Sequence, residues 1–149
     1  MIEFENLTLE EWGQSLKPYQ FNIILQLVRN YGEMEAAEKW INAKGPQETA
    51  TFGGISNSLN TGKNYWYSLR DEFNKLICGH PDYTKEREKL ISTGKIIGLG
   101  GVSYISTLLS PIVGLSVPIL TPAVMLLLHT AGKMGINAYC SMVTTNSDN

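Results

Sequence analysis

Asn60-Thr61-Gly62-Lys63 ends like a phosphate loop, in which glycine backbone N–H groups cradle phosphate oxygens and a lysine neutralises them. The upstream glycine position is Asn57, and Asn64 stands where a magnesium-binding Ser or Thr belongs. A capped polar loop is the expected reading. Gly98-Leu99-Gly100-Gly101 follows no strand pattern and is therefore not a dinucleotide fingerprint. Cys78 and His80 offer the residue types of a thiolate–imidazole pair. Cys78, however, falls at the end of an apolar helical stripe, where buried structural cysteine is the ordinary case. His129 follows Leu126-Leu127-Leu128 and reads as a packed residue rather than a metal ligand. Asp71 and Glu72 read as solvated carboxylates on a helix surface. No catalytic residue, metal site or cofactor is expected, and the chain reads as a non-enzyme.

The 149 residues suit one domain with a real core. Only 17% are charged, well below the usual quarter, and the deficit is concentrated in one region. After Lys95 the remaining charged side chains are Lys133 and Asp148. A net charge of −2 argues against double-stranded nucleic acid as a partner, since phosphate neutralisation needs a basic surface. The start Met1-Ile2-Glu3-Phe4-Glu5 is acidic and lacks an apolar run, so a secreted product is not expected. Cys78 and Cys140 have no metal-ligand spacing. Two reduced thiols are expected, with a single disulfide as the alternative.

The elements that must position these groups read as helices. Thr8 and Glu11 form a capping-box pattern, and Pro18 can open the next helix. Phe21, Ile24, Leu25 and Val28 share a face, as do Met34, Ala37, Trp40 and Ile41 in a helix over 33–43. Residues 47–62 form a long polar, glycine-bearing loop. Helix resumes over 63–78 with Tyr65, Leu69, Phe73, Leu76 and Ile77 as its stripe. Asp82 then caps a long helix reaching towards Leu109. Pro111, Gly114 and Pro118 break the chain, and Thr121-Pro122 restarts it as N-cap and first residue. The fold class is all-α. Residues 1–79 form an amphipathic helical sensor or interaction part with an irregular loop at 45–62. Residues 80–143 form an apolar helical hairpin and 144–149 a polar tail, the whole integrated as one domain.

Each arm of that hairpin, roughly 90–109 and 119–140, spans about 30 Å of helix, the thickness of a hydrocarbon core. Gly94, Gly98 and Gly101, with Ala131, Gly135 and Ala138, supply small residues for close helix packing. Ser103, Ser106, Thr107 and Ser110 form a polar stripe that could line a path in a homo-oligomer. Lys95 and Lys133 lie at the ends opposite the tip, where lysines can snorkel to one interface. Glycine, serine and threonine dilute both arms, so the same hairpin also suits a soluble core. The sequence leaves both environments open.

Ala36-Ala37-Glu38-Lys39-Trp40, the loop 45–54 (Gly-Pro-Gln-Glu-Thr-Ala-Thr-Phe-Gly-Gly), the junction Ile77-Cys78-Gly79-His80-Pro81-Asp82-Tyr83 and the ending Gly135-Ile136-Asn137-Ala138-Tyr139-Cys140 carry a resemblance when taken together. The combination resembles small bacterial proteins found beside anti-phage defence genes. More narrowly, it resembles the membrane effector that partners a nucleotidyltransferase-type enzyme. The resemblance spans most of the chain and brings no active site. It implies an effector activated by the defence enzyme or its product, in the cytoplasm or at the inner membrane with a cytoplasmic N-terminus. Its output would be membrane disruption or ion conduction by an oligomer in contact with lipid. The competing expectation is a soluble helical interaction module with the hairpin as its own core. Its partner surface would lie around Phe52, Gly53, Gly54, Lys63, Trp66 and Tyr67.

Overall fold

Thr8 opens the first helix as its spacing to Glu11 predicts. The Thr8 N–H donates to Glu11 Oε1 (2.8 Å), and the Glu11 N–H donates to Thr8 Oγ1 (3.1 Å). The computed structural model describes residues 3–4, 7–44, 64–94, 96–97 and 99–147, with side chains over 7–43, 65–90 and 100–143. Among the described residues the chain is all-α. The helices are α1 (Leu9–Trp12), α2 (Pro18–Tyr31), α3 (Glu33–Lys44), α4 (Asn64–Ile77), α5 (Thr84–Gly94), α6 (Leu99–Val113), α7 (Val117–Met134) and α8 (Ile136–Ser147). Gly13–Ser15 and Pro81–Tyr83 add single 3-10 turns. The loop residues Phe52, Gly53, Gly54 and Lys63 lie outside the described residues, as do Lys95 and Gly98.

The centre of the packing is α7. Leu120 and every residue from Ala123 to Leu128, together with Ala131, have no exposed surface. Its most extensive interface is with α3, which contributes Ala36, Ala37, Trp40 and Ile41, and a second lies along α6. The buried row on α6 is Val102, Ile105, Leu109 and Val113, and α4 adds Leu69, Phe73 and Leu76. These rows repeat every three or four positions, as one face of a helix must.

Several sequence expectations need correcting. The long helix from Asp82 to Leu109 is two helices. His80 caps the 3-10 turn, its Nδ1 accepting from the Asp82 N–H (3.1 Å), and α5 stops at Gly94. Ile96–Ile97 then pairs in parallel with Glu3–Phe4, a two-residue contact rather than a sheet layer. Glycine costs about 1 kcal/mol in a helix interior and β-branched residues favour extended backbone, so the break falls here. At the other end, α6 runs through Pro111 to Val113, and Gly114 at φ +91° closes it by donating to the Ser110 carbonyl (2.8 Å). Its buried apolar row outweighs the one backbone bond that proline forfeits.

Thr121 and Pro122 do not start the next helix. Ser116 is its N-cap and Pro122 lies inside it. A proline there leaves the carbonyl four residues earlier, Pro118 O, without a helical donor. Gln20 supplies one instead: its Nε2 donates to Pro118 O (3.3 Å) while its Oε1 accepts from the Lys17 N–H (3.2 Å). Trp40 Nε1 donates to the neighbouring Ile119 carbonyl (2.8 Å). Gln20→Leu keeps the volume and removes the donor, so it is expected to cost about 1–2 kcal/mol in urea unfolding. Unchanged stability would mean that solvent meets that carbonyl equally well.

The second arm also divides. Gly135 adopts φ +89°, a conformation that side-chain-bearing residues rarely take, and separates α7 from α8. This turn lays α8 against α4. There Tyr139 Oη donates to Asn74 Oδ1 (2.5 Å) and its ring meets Phe73 edge-on at 6.3 Å. Burial pushes the Tyr139 phenol up to about 12, with Arg70 pulling slightly the other way. The same turn overturns the expectation of two reduced thiols, because Cys78 and Cys140 are joined by a disulfide with Cα atoms 5.5 Å apart.

Candidate functional site

Two polar arrangements stand out against this apolar interior, and both are built on α3. The first begins at Glu33, the first residue of that helix, where a negative charge also suits the positive end of the helix dipole. Three donors from one turn of α7 converge on its carboxylate. His129 Nδ1 lies 2.5 Å from Oε1, Thr130 Oγ1 donates to the same oxygen (3.0 Å), and Lys133 Nζ donates to Oε2 (2.5 Å). The side chains of Glu33 and His129 are each 13% exposed, whereas that of Lys133 is 59% exposed. Burial alone would raise the Glu33 carboxyl. The hydrogen bonds from Lys133 and His129, and their charges, outweigh it and hold the pKa below the ordinary 4.5.

A carboxylate that fixes an imidazole tautomer is also the supporting half of a general base. Here it is joined by a threonine and a lysine that bond the same carboxylate rather than a reacting group. The arrangement works as a clamp between α3 and the end of α7.

The second arrangement lies one face away, where α3 and α4 leave a cleft of about 450 Å³. Glu35, Glu38 and Lys39 face Trp66 and Arg70 across it, with Met34 and Asn42 completing the lining. Trp66 is buried along the α4 stripe, while Tyr67, one position on, is 52% exposed. Arg70 spans the two rings, its guanidinium carbon 5.9 Å from the Trp66 centroid and 5.6 Å from that of Tyr67. Lys39 stacks over Tyr31 at 4.4 Å. The cleft therefore carries both signs of charge beside a largely buried indole.

The residues singled out from the sequence are dispersed. Of the partner-loop set, Trp66 lines this cleft, and Tyr67 meets Arg70 without being part of the lining. Of the small residues, Gly94 ends α5, Gly101 is half-buried in α6, Ala131 is fully buried in α7, Gly135 forms the exposed joint, and Ala138 is exposed on α8. The polar stripe splits in two. Ser103 and Thr107 face outward, whereas Ser106 and Ser110 face inward. Ser110 Oγ donates to the Leu115 carbonyl (2.5 Å), and Ser106 Oγ is buried with no partner among the described residues.

No local sequence signal marks Glu33, Arg70 or Glu35 as a site residue. One signal for the clamp was present. His129, Thr130 and Lys133 fall within one turn at the end of a leucine-rich helix, and polar groups in that position require a partner. Comparison with protein-family models, curated proteins and solved structures yields no match to this chain.

Proposed function

We propose that the chain is a non-enzymatic helical interaction module, with the α3–α4 cleft as its binding surface and α7 as its core helix. The observation that carries this reading is the cleft itself. Arg70, held over the rings of buried Trp66 and exposed Tyr67, offers the anchoring group, and Glu35, Glu38 and Lys39 add a charge pattern for selecting among partners. A protein segment bearing both signs of charge fits better than a phosphate-rich ligand, which two carboxylates in the lining would repel.

A second reading has its own supporting observation. Val117–Met134 is, by length and composition, apolar enough to cross a bilayer. On this reading the protein is a membrane-acting effector of the phage-defence kind that its sequence resembles, held inactive while α7 is sheathed by α3 and α6. A defence enzyme or its product would open the Glu33 clamp. Oligomers at the inner membrane would then perturb it. Such a switch requires two packings within a few kcal/mol of each other.

Flotation with vesicles of phosphatidylethanolamine and phosphatidylglycerol separates the two readings. The interaction module stays in the aqueous fraction both as the native chain and as the folded Glu33→Gln variant. The effector reading requires Glu33→Gln to float with the lipid, and that result would displace the first reading.

A further inference from the structure

Cys78 and Cys140 are bonded across 62 positions of sequence, and the bond ties the end of α4 to the middle of α8. Ile136, Tyr139, Cys140 and Val143, spaced three and four apart, are the residues through which α8 packs on the core. Asn137, Ala138, Ser141 and Met142 face outward. Two noncovalent anchors of this seat, Phe73 and Asn74, lie one turn before Cys78 on the same helix. Between α7 and α8 stands one residue, Gly135, in a left-handed conformation. Both cysteines are half-buried at the edge of the core rather than enclosed in it. Among the described residues, the Glu33 clamp and the Gln20 and Trp40 side-chain bonds tie α7 to α2 and α3.

We propose that the Cys78–Cys140 bond is a redox latch for α8. A dithiol reductant attacks one sulfur to give a mixed disulfide, then closes on itself as a cyclic disulfide. Its two electrons and two protons end on the Cys78 and Cys140 thiols. With the covalent tie gone, α8 pivots at Gly135 and lifts from α4, uncovering the side of Phe73 that Tyr139 covers. The α3–α7 core stays folded. The latch is seated on α4, the helix that also carries Arg70 at the α3–α4 cleft, and it stands whichever partner that cleft takes.

The test is amide exchange read by mass spectrometry on the full chain, oxidised and after dithiothreitol, with thiols counted in both states. The latch predicts no free thiol before reduction and two after. It also predicts that exchange over residues 136–143 accelerates by about tenfold or more while residues 120–128 are unchanged. Unchanged exchange over 136–143 in the reduced chain would overturn it. So would loss of protection over 120–128 as well, which would make the bond a staple for the whole fold, or two free thiols before any reductant is added. Cys140→Ser should show the reduced pattern without dithiothreitol and should not respond to it. A Cys140→Ser chain that folds with α8 fully protected would also overturn the latch. If that variant does not fold, the reduced native chain decides.

Discussion

Leu126→Ala is expected to lower the free energy of unfolding by about 2–5 kcal/mol, read from the urea midpoint at unchanged slope. Leu126 has no exposed surface and sits in the unbroken buried run of α7, between the faces of α3 and α6. Truncation there removes apolar contacts and leaves a void that neighbouring helices, pinned on both sides, fill poorly. Ile112, on the adjoining α6, is 48% exposed and provides the control. Ile112→Ala should change stability by no more than about 0.5 kcal/mol. Similar costs for the two variants would mean that α7 is not the packed centre.

Glu33→Ala carries the second large effect, a loss of about 2–4 kcal/mol. The substitution leaves His129, only 13% exposed, and Thr130 without their shared acceptor. Lys133 turns to water at little cost because its side chain is already 59% exposed, which places the loss below that of a fully buried pair. The same carboxylate sets an acid dependence. Its pKa in the folded chain lies below the ordinary 4.5, so its contribution is complete above that value and is lost as pH falls through the lowered folded pKa. Unfolding curves taken between neutral and strongly acidic pH should therefore lose less stability in Glu33→Gln than in the native chain. Parallel pH profiles would show that the clamp contributes nothing that titrates.

Where local chemistry decides the structure, the sequence was readable. Thr8 with Glu11, and Pro18 at the first position of α2, each fix a helix end through atoms a few residues apart. The stripe of Leu69, Phe73, Leu76 and Ile77 identified the inner face of α4 for the same reason. Pro122 was misread because its compensation is distant. The donor that replaces its missing N–H comes from Gln20, 98 positions from the carbonyl it satisfies, and no window of sequence contains both. The clamp was hidden in the same way, since Glu33 and its three donors are separated by 96 to 100 positions. At Gly94 the competition was local but close. A glycine-flanked, β-branched segment can extend a helix or leave it, and the Glu3–Phe4 segment that pairs with it lies at the other end of the chain. The cleft was half-visible. Trp66 and Tyr67 stand out in the sequence as aromatics, while nothing local marks Arg70, Glu35 and Glu38, which meet only where α3 and α4 lie side by side.

The burial of α7 within the protein is most directly tested by tryptophan fluorescence of the native chain mixed with vesicles whose acyl chains are brominated. Trp12, Trp40 and Trp66 are all buried, and Trp40 donates a hydrogen bond to the Ile119 carbonyl, so the emission reports whether the core packed around α7 stays out of lipid. The account predicts a chain that is soluble without detergent and emission unchanged by brominated lipid. Strong quenching by brominated lipid, absent with unbrominated vesicles, would place α7 in the hydrocarbon and contradict it.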